Sequence, residues 1–364
     1  MEQQHTVADK LKVSPFLVFF LIHSMQVGIG VLGFQRIIAL TAGYDAWISV
    51  IFAGLSIHLI LWMMYKIAET VNGDMVSIHT YIYGNKVGKL LSLPFVLYFC
   101  LIAVTIMNGF IEVIQVWMFQ DLSTFWFSVA FLGLAIYIIY GGFRTVTGIA
   151  FFGVILPLYL IFTFFFTFPY ADFSNLLPIF DHPIKDLLKA SKNMSLTYLG
   201  WETLLFYYPF IKDPAKSKKW AHGGVMFTTI LYTLLTVTTF AYFSEGQLQK
   251  NVWATLTMWK IVQMPFVERF EYIGIANWNI VILPNVCIAI WCASRVLKRT
   301  INIKQKKGVI LVSLVCLVGA NLFKSRNQLN ALFTLSGLIG FYLNYVYIPL
   351  LFVAVMIIKK VKNQ

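Results

Sequence analysis

The sequence predicts an all-α integral membrane protein. Ten transmembrane helices form a single polytopic domain over residues 1–364, in two inverted groups of five (about 14–168 and 187–358), with helices one and six broken in mid-membrane. Three observations carry that expectation. Apolar residues make up 59% of the chain and charged residues only 12%, and mean hydropathy is +0.77. A soluble domain carries about 25% charged residues. Lys and Arg are distributed unevenly between the loops on the two sides. Glycines interrupt two of the apolar runs, the first at Gly28-Ile29-Gly30.

The first run, Pro15–Leu40, is long enough to cross a bilayer, which takes roughly 20 apolar residues. Its middle holds Gly28, Gly30 and Gly33. Glycine weakens a helix by about 1 kcal/mol relative to alanine. Broken backbone at membrane depth is tolerated where protein or a water-filled cavity takes up the freed groups. The expectation is a discontinuous helix, Ser14–Gln26 and Val31–Leu40. The second half would present free N–H groups and a positive dipole end, a place for a carboxylate. The competing reading is close helix packing through small residues. The polar head MEQQHTVADKLKV and the length of the run argue against a cleavable signal peptide.

The second span is about Trp47–Ile67. Thr70–Leu93 reads as an amphipathic membrane-surface helix followed by a Gly-Asn-Lys turn. Spans three to five are Pro94–Phe119, Phe125–Tyr140 and Val146–Phe168, the last kinked at Pro157. After a loop containing NLLPIF, span six (Leu187–Ile211) is interrupted at Leu199-Gly200-Trp201-Glu202. Span seven is Gly223–Phe243. The stretch Ser244–Phe270, with VWATLTMW, reads as a second membrane-surface helix. Tyr272–Val296, Gly308–Phe323 and Leu332–Ile358 complete the ten.

With the N-terminus in the cytoplasm, cytoplasmic segments carry 19 Lys and Arg against 8 on the opposite side, and Arg36 lies within the first span. By the positive-inside rule both termini are cytoplasmic. The net charge of +13 is then topological, and no nucleic acid partner is implied. Breaks in the first helix of each group of five match an inverted-repeat layout, whose binding site lies at the midplane.

Glu202 is the most informative ionisable residue, because a charge in the membrane interior is costly. It has two readings: a ligand-ammonium partner or proton-linked switch, and a hydrogen-bonded group closing the broken helix. Glu112 and Arg36 are intramembrane charges without an assigned role. His23 and His58 read as satisfied core residues. Tyr342 stands out among the aromatics because Gly337 and Gly340 flank its approach. The four cysteines sit inside apolar runs with no CxxC spacing, so neither disulfide nor metal site is expected. GIG follows no strand, and HExxH, GxSxG and P-loop motifs do not occur, so no enzyme and no cofactor is expected.

Several stretches carry a likeness: GIGVLGFQR (Gly28–Arg36), YGGF (Tyr140–Phe143), NLLPIF (Asn175–Phe180), SLTYLGWETLLFYYPFIKDPAKSKK (Ser195–Lys219) and VERFEY (Val267–Tyr272). Through them the chain resembles the endospore germination permease family, the B subunits of nutrient germinant receptors, within the amino acid–polyamine–organocation transporter superfamily. Where that family commonly has Leu-Pro before the helix-one arginine, this chain has Phe34-Gln35.

The resemblance implies a LeuT-like fold in the inner membrane of a bacterial spore, with A-type and C-type receptor subunits as partners, membrane lipid around it and a nutrient ligand, often an amino acid. Carried onto matching positions, it implies a pocket lined by Gly28, Ile29, Gly30, Leu199, Gly200, Trp201 and Tyr342, with Ile102 on helix three facing it. In such folds a sodium site would use hydroxyls on helix eight, and a proton-coupled relative would place a lysine in helix five. Neither is visible, which favours a binder that does not pump. The rivals are a proton-coupled amino-acid transporter and a scaffold with a vestigial pocket. The Glu268–Glu271 segment reads as a local ion-pair network.

Overall fold

The computed structural model describes residues 7–362. Its element order is α1 (Leu17–Gln26), α2 (Phe34–Ala42), α3 (Ala46–Val71), α4 (Met75–Tyr83), α5 (Asn85–Ser92), α6 (Pro94–Trp117), α7 (Thr124–Tyr140) and α8 (Phe143–Ile155) in the first half. The second half holds α9 (Ile184–Asn193), α10 (Ser195–Tyr198), α11 (Leu204–Tyr207), α12 (Lys218–Tyr242), α13 (Glu245–Lys250), α14 (Ala254–Trp259), α15 (Phe270–Thr300), α16 (Gln305–Leu322), α17 (Arg326–Tyr342) and α18 (Ile348–Lys362). Among the described residues, seven helical stretches are long and apolar enough to cross a membrane, and α1 and α7 are shorter apolar helices.

α15 is the central post. It is 31 residues long, and its buried side chains run from Phe270 to Leu297 on every face. An apolar helix buried all round belongs in the middle of a bundle. It packs against α6, α8 and α16, while α1 lies between α8 and α12. Leu97, Tyr137, Phe162 and Leu350 are among the large apolar side chains on the outer surface. Such a surface faces hydrocarbon without penalty and completes an integral membrane protein.

The first span breaks as expected. α1 ends at Gln26, a single 3₁₀ turn covers Ile29–Leu32, and α2 resumes at Phe34. Span six breaks between α10 and α11, and Gly200 takes φ +119°, a conformation that side chains other than glycine's rarely adopt. Span five loses its α-helix at Ile155, just before Pro157, and continues as a tighter 3₁₀ run over Leu156–Tyr170. The Thr70–Leu93 region divides at Gly84, and Met75, Val76, Ile78 and His79 of α4 turn into the protein.

VWATLTMW is packed into the bundle and does not lie free on its surface. It forms α14, whose Ala254, Thr255, Leu256, Met258 and Trp259 are buried against the bundle. Its apolar face meets helix interiors, because Thr255 bonds the helix-one break and the Trp259 indole donates to Thr163 Oγ1 at 3.1 Å. α17 begins at Arg326, six residues ahead of the expected start. A reciprocal cap of Ser325 and Gln328 satisfies its first N–H groups. Between α17 and α18 the helix widens into a π turn over Leu343–Tyr347.

Candidate functional site

Unwinding α1 exposes carbonyls that have lost their helical donors, and four of them take a donor from another element. Tyr232 Oη donates to Gln26 O at 2.6 Å, and Asn285 Nδ2 to Val27 O at 3.2 Å. Trp278 Nε1 donates to Gly28 O at 3.2 Å, and Thr255 Oγ1 to Val31 O at 2.9 Å. Helices α12 and α15 and the buried α14 therefore hold the break open. The glycines are needed for close approach: a Cβ at Gly28 would lie 3.0 Å from Asn285 Nδ2, and one at Gly30 would lie 3.0 Å from Thr197 Oγ1.

The helix-six break closes on itself. Glu202 Oε2 accepts from the Gly200 N–H at 2.8 Å, and Thr203 N donates back to Gly200 O at 3.1 Å. Tyr98 Oη on α6 donates to Glu202 Oε1 at 2.6 Å, and Asn344 Nδ2, in the π turn, donates to Oε2 at 3.4 Å. Glu202 thus ties the break to α6 and to the α17–α18 junction. Of its two readings, the hydrogen bonds that close the broken helix are those the structure displays. A Cβ on Gly200 would lie 2.7 Å from Met25 O, so the two breaks touch.

The π turn is a junction for three elements. Asn344 grips Glu202, Tyr345 Oη meets Ser56 Oγ of α3 at 2.8 Å, and Tyr347 Oη meets His79 Nε2 of α4 at 2.6 Å. His79 Nδ1 in turn bonds Ser92 Oγ at 2.7 Å, and burial pushes the pKa of this imidazole down to about 4.

Beside the breaks lies a cavity of about 560 Å³. Of the sequence-predicted residues, Gly28, Ile29, Gly30, Ile102 and Leu199 line it. Gly200 and Trp201 sit behind the lining, with Trp201 only 1% exposed. Tyr342 also lies outside it and is 52% exposed, while its neighbour Phe341 takes the lining position. Glu202 is buried away from the cavity surface. Sequence reasoning missed Gln26, Asn285 and Phe333, and it left Arg36 without a role. Asn285 had a signal, being a carboxamide inside an apolar helix.

Glu112 pairs with Arg326, and Arg269 pairs with Glu271 at 3.0 Å while lying over the Tyr272 ring. His23 Nδ1 meets Thr228 Oγ1 at 2.8 Å, and His58 meets His222 at 2.7 Å.

A helical membrane bundle with two broken helices flanking a ligand-sized cavity is the architecture of a solute transporter. Solved structures agree. MhsT in complex with L-phenylalanine superposes with a TM-score of 0.64 at 13% identity, over 93% of this chain and 87% of that one. A Na⁺-coupled sialic acid symporter in a substrate-bound outward-open state superposes with 0.64 at 12% identity, over 98% and 80%. The chain belongs to the spore germination protein family, whose model matches residues 12–329. Spore germination protein GerQB of Bacillus cereus is 45% identical over 93% of this chain and 94% of its own length. The protein is a membrane protein of transporter architecture and not an enzyme.

Proposed function

We propose that this protein is the nutrient-binding B subunit of a spore germinant receptor. It would sit in the inner membrane of the spore with both termini cytoplasmic, and signal to A-type and C-type subunits. The single observation that carries the reading is the cavity at the two helix breaks, in a chain of the germination family. An inverted five-plus-five layout of ten spans would put the ligand site at the midplane. An amino acid is the first ligand class to test. Its carboxylate would meet the first N–H groups of the Ile29–Leu32 turn, those at Ile29 and Gly30, which open a helical turn and so lack intrahelical partners. Gly28, Ile29, Gly30, Ile102 and Leu199 would contact it, with Gly200 and Trp201 shaping the wall and Tyr342 at the rim.

Signalling would be a shift between two arrangements of helices one and six, each favoured differently by the ligand. The π turn supports a route outward, because it bonds the helix-six break, α3 and α4 together.

The test is uptake and equilibrium binding of a labelled amino-acid panel by purified protein in proteoliposomes under an imposed pH gradient. Saturable binding without accumulation is the expected result. Concentrative, uncoupler-sensitive uptake would replace the receptor reading with a proton-coupled transporter. Normal assembly with neither binding nor nutrient response would leave the scaffold reading.

A further inference from the structure

The cavity is lined by three cationic side chains, Arg36, Lys192 and Arg326, and by no Asp or Glu among the described residues. The three cations are not equivalent. Arg326 is paired with Glu112 on α6, so its charge is already matched. Arg36 and Lys192 have no carboxylate within 4.0 Å among the described residues.

Arg36 is anchored by a hydrogen bond, and the exposed Lys192 side chain only leans on aromatic rings. Arg36 Nε donates to Gln249 O at 2.7 Å, which anchors one edge of the guanidinium. A guanidinium has five N–H donors in a rigid fork, so most of its donor capacity is left for something else. The Lys192 ammonium rests 5.1 Å from the centroid of the Phe341 ring and 5.9 Å from that of Tyr342. Phe341 itself lines the cavity. The other polar groups there are neutral. The Gln26 carboxamide and Asn285 Oδ1 are buried with no protein partner among the described residues. Nothing in the lining offers a counter-charge to a cation.

Two unmatched positive charges beside a cavity with low-dielectric walls raise the local concentration of anions and repel cations. A carboxylate also has the geometry to take a guanidinium fork through two hydrogen bonds. We propose that the cavity selects ligands bearing an anionic group and rejects ligands of net positive charge, with Arg36 and Lys192 setting that preference. This deepens the nutrient-binding reading and rests on it for the identity of the ligand, whereas the charge preference of the cavity can be read without any ligand.

The ligand-free measurement places a reporter thiol in the cavity by Thr334→Cys in the full chain, whose own four cysteines are buried. Modification rates are compared for methanethiosulfonate reagents carrying a sulfonate or a trimethylammonium group. The anionic reagent should react at least tenfold faster at low ionic strength, and the ratio should collapse in Arg36→Gln/Lys192→Gln and at high salt. Equal rates, or a faster cationic reagent, would overturn the proposal.

The second measurement compares the best-bound amino acid of the panel with its carboxamide. The carboxamide should bind at least tenfold more weakly to the native protein, and the difference should shrink several-fold in the double variant. Equal binding by the native protein would overturn the proposal while leaving the receptor reading intact. A panel that binds nowhere, with a strong anionic preference at the reporter thiol, would sink the amino-acid reading and leave the charge preference standing.

Discussion

The two helix breaks solve one problem in opposite ways. At the helix-one break, four carbonyls take donors from three other elements: Tyr232 on α12, Trp278 and Asn285 on α15, and Thr255 on α14. At the helix-six break the closure is mostly internal, because Glu202 binds the Gly200 N–H two residues back and Thr203 binds the Gly200 carbonyl. The first break keeps its shape only while its neighbours stay where they are. The second carries its own clasp and uses that carboxylate to hold Tyr98 and Asn344 as well. A break satisfied from outside reports the position of those outside elements. A break satisfied from within moves as a unit.

Removing the clasp should be the most damaging change. Glu202→Leu leaves the Gly200 N–H and the Tyr98 hydroxyl without their shared acceptor, at about 1–3 kcal/mol for each buried group, while the Asn344 amide keeps its bond to Gly340 O. The expected outcome is loss of folded protein on detergent gel filtration. A Glu202→Leu protein as stable as the native chain would break the comparison. Gly200→Ala comes next. It puts a side chain at φ +119° and drives a Cβ toward Met25 O, with strain on the order of 1–3 kcal/mol before the clash is counted. A fall of several degrees in melting temperature should follow.

Changes at the helix-one break should be milder and should show in ligand response more than in assembly. Asn285→Leu leaves the Val27 carbonyl without its side-chain donor, and Trp278→Phe does the same for Gly28, each costing about 1–3 kcal/mol. Single variants should still fold and lose ligand affinity, read by equilibrium binding. Variants that lose assembly as completely as Glu202→Leu would show that both breaks are equally rigid.

The smallest effect is the one at His79. Its folded-state pKa of about 4 lies below the ordinary 6.5, so below pH 6.5 the unfolded chain takes up a proton that the folded one does not. Its contribution to stability is complete above pH 6.5 and is lost as pH falls from 6.5 toward 4. His79→Gln should flatten the melting temperature across that window. An unchanged slope would show that burial does not depress the His79 imidazole.

Much of the frame was legible in the chain. Gly28-Ile29-Gly30 marked one break and Leu199-Gly200 the other, since glycine inside a long apolar run is a local cost that shows in sequence. Glu202 showed for a related reason, as a charge where charge is expensive. Tyr342 was one residue off the lining position held by Phe341, because which side of a helix faces a cavity depends on its rotation within the bundle. VWATLTMW carries the composition of an interfacial helix, and only its docking onto the helix-one break buries it.

The sequence by itself determined the membrane class, the glycine-marked breaks and the apolar spans, because hydropathy and backbone freedom are properties of short stretches. Tertiary structure decided which donors satisfy each break. It paired Arg326 with Glu112 and left Arg36 and Lys192 without a carboxylate partner among the described residues. Those partners are far apart along the chain, and packing alone sets the distances between them.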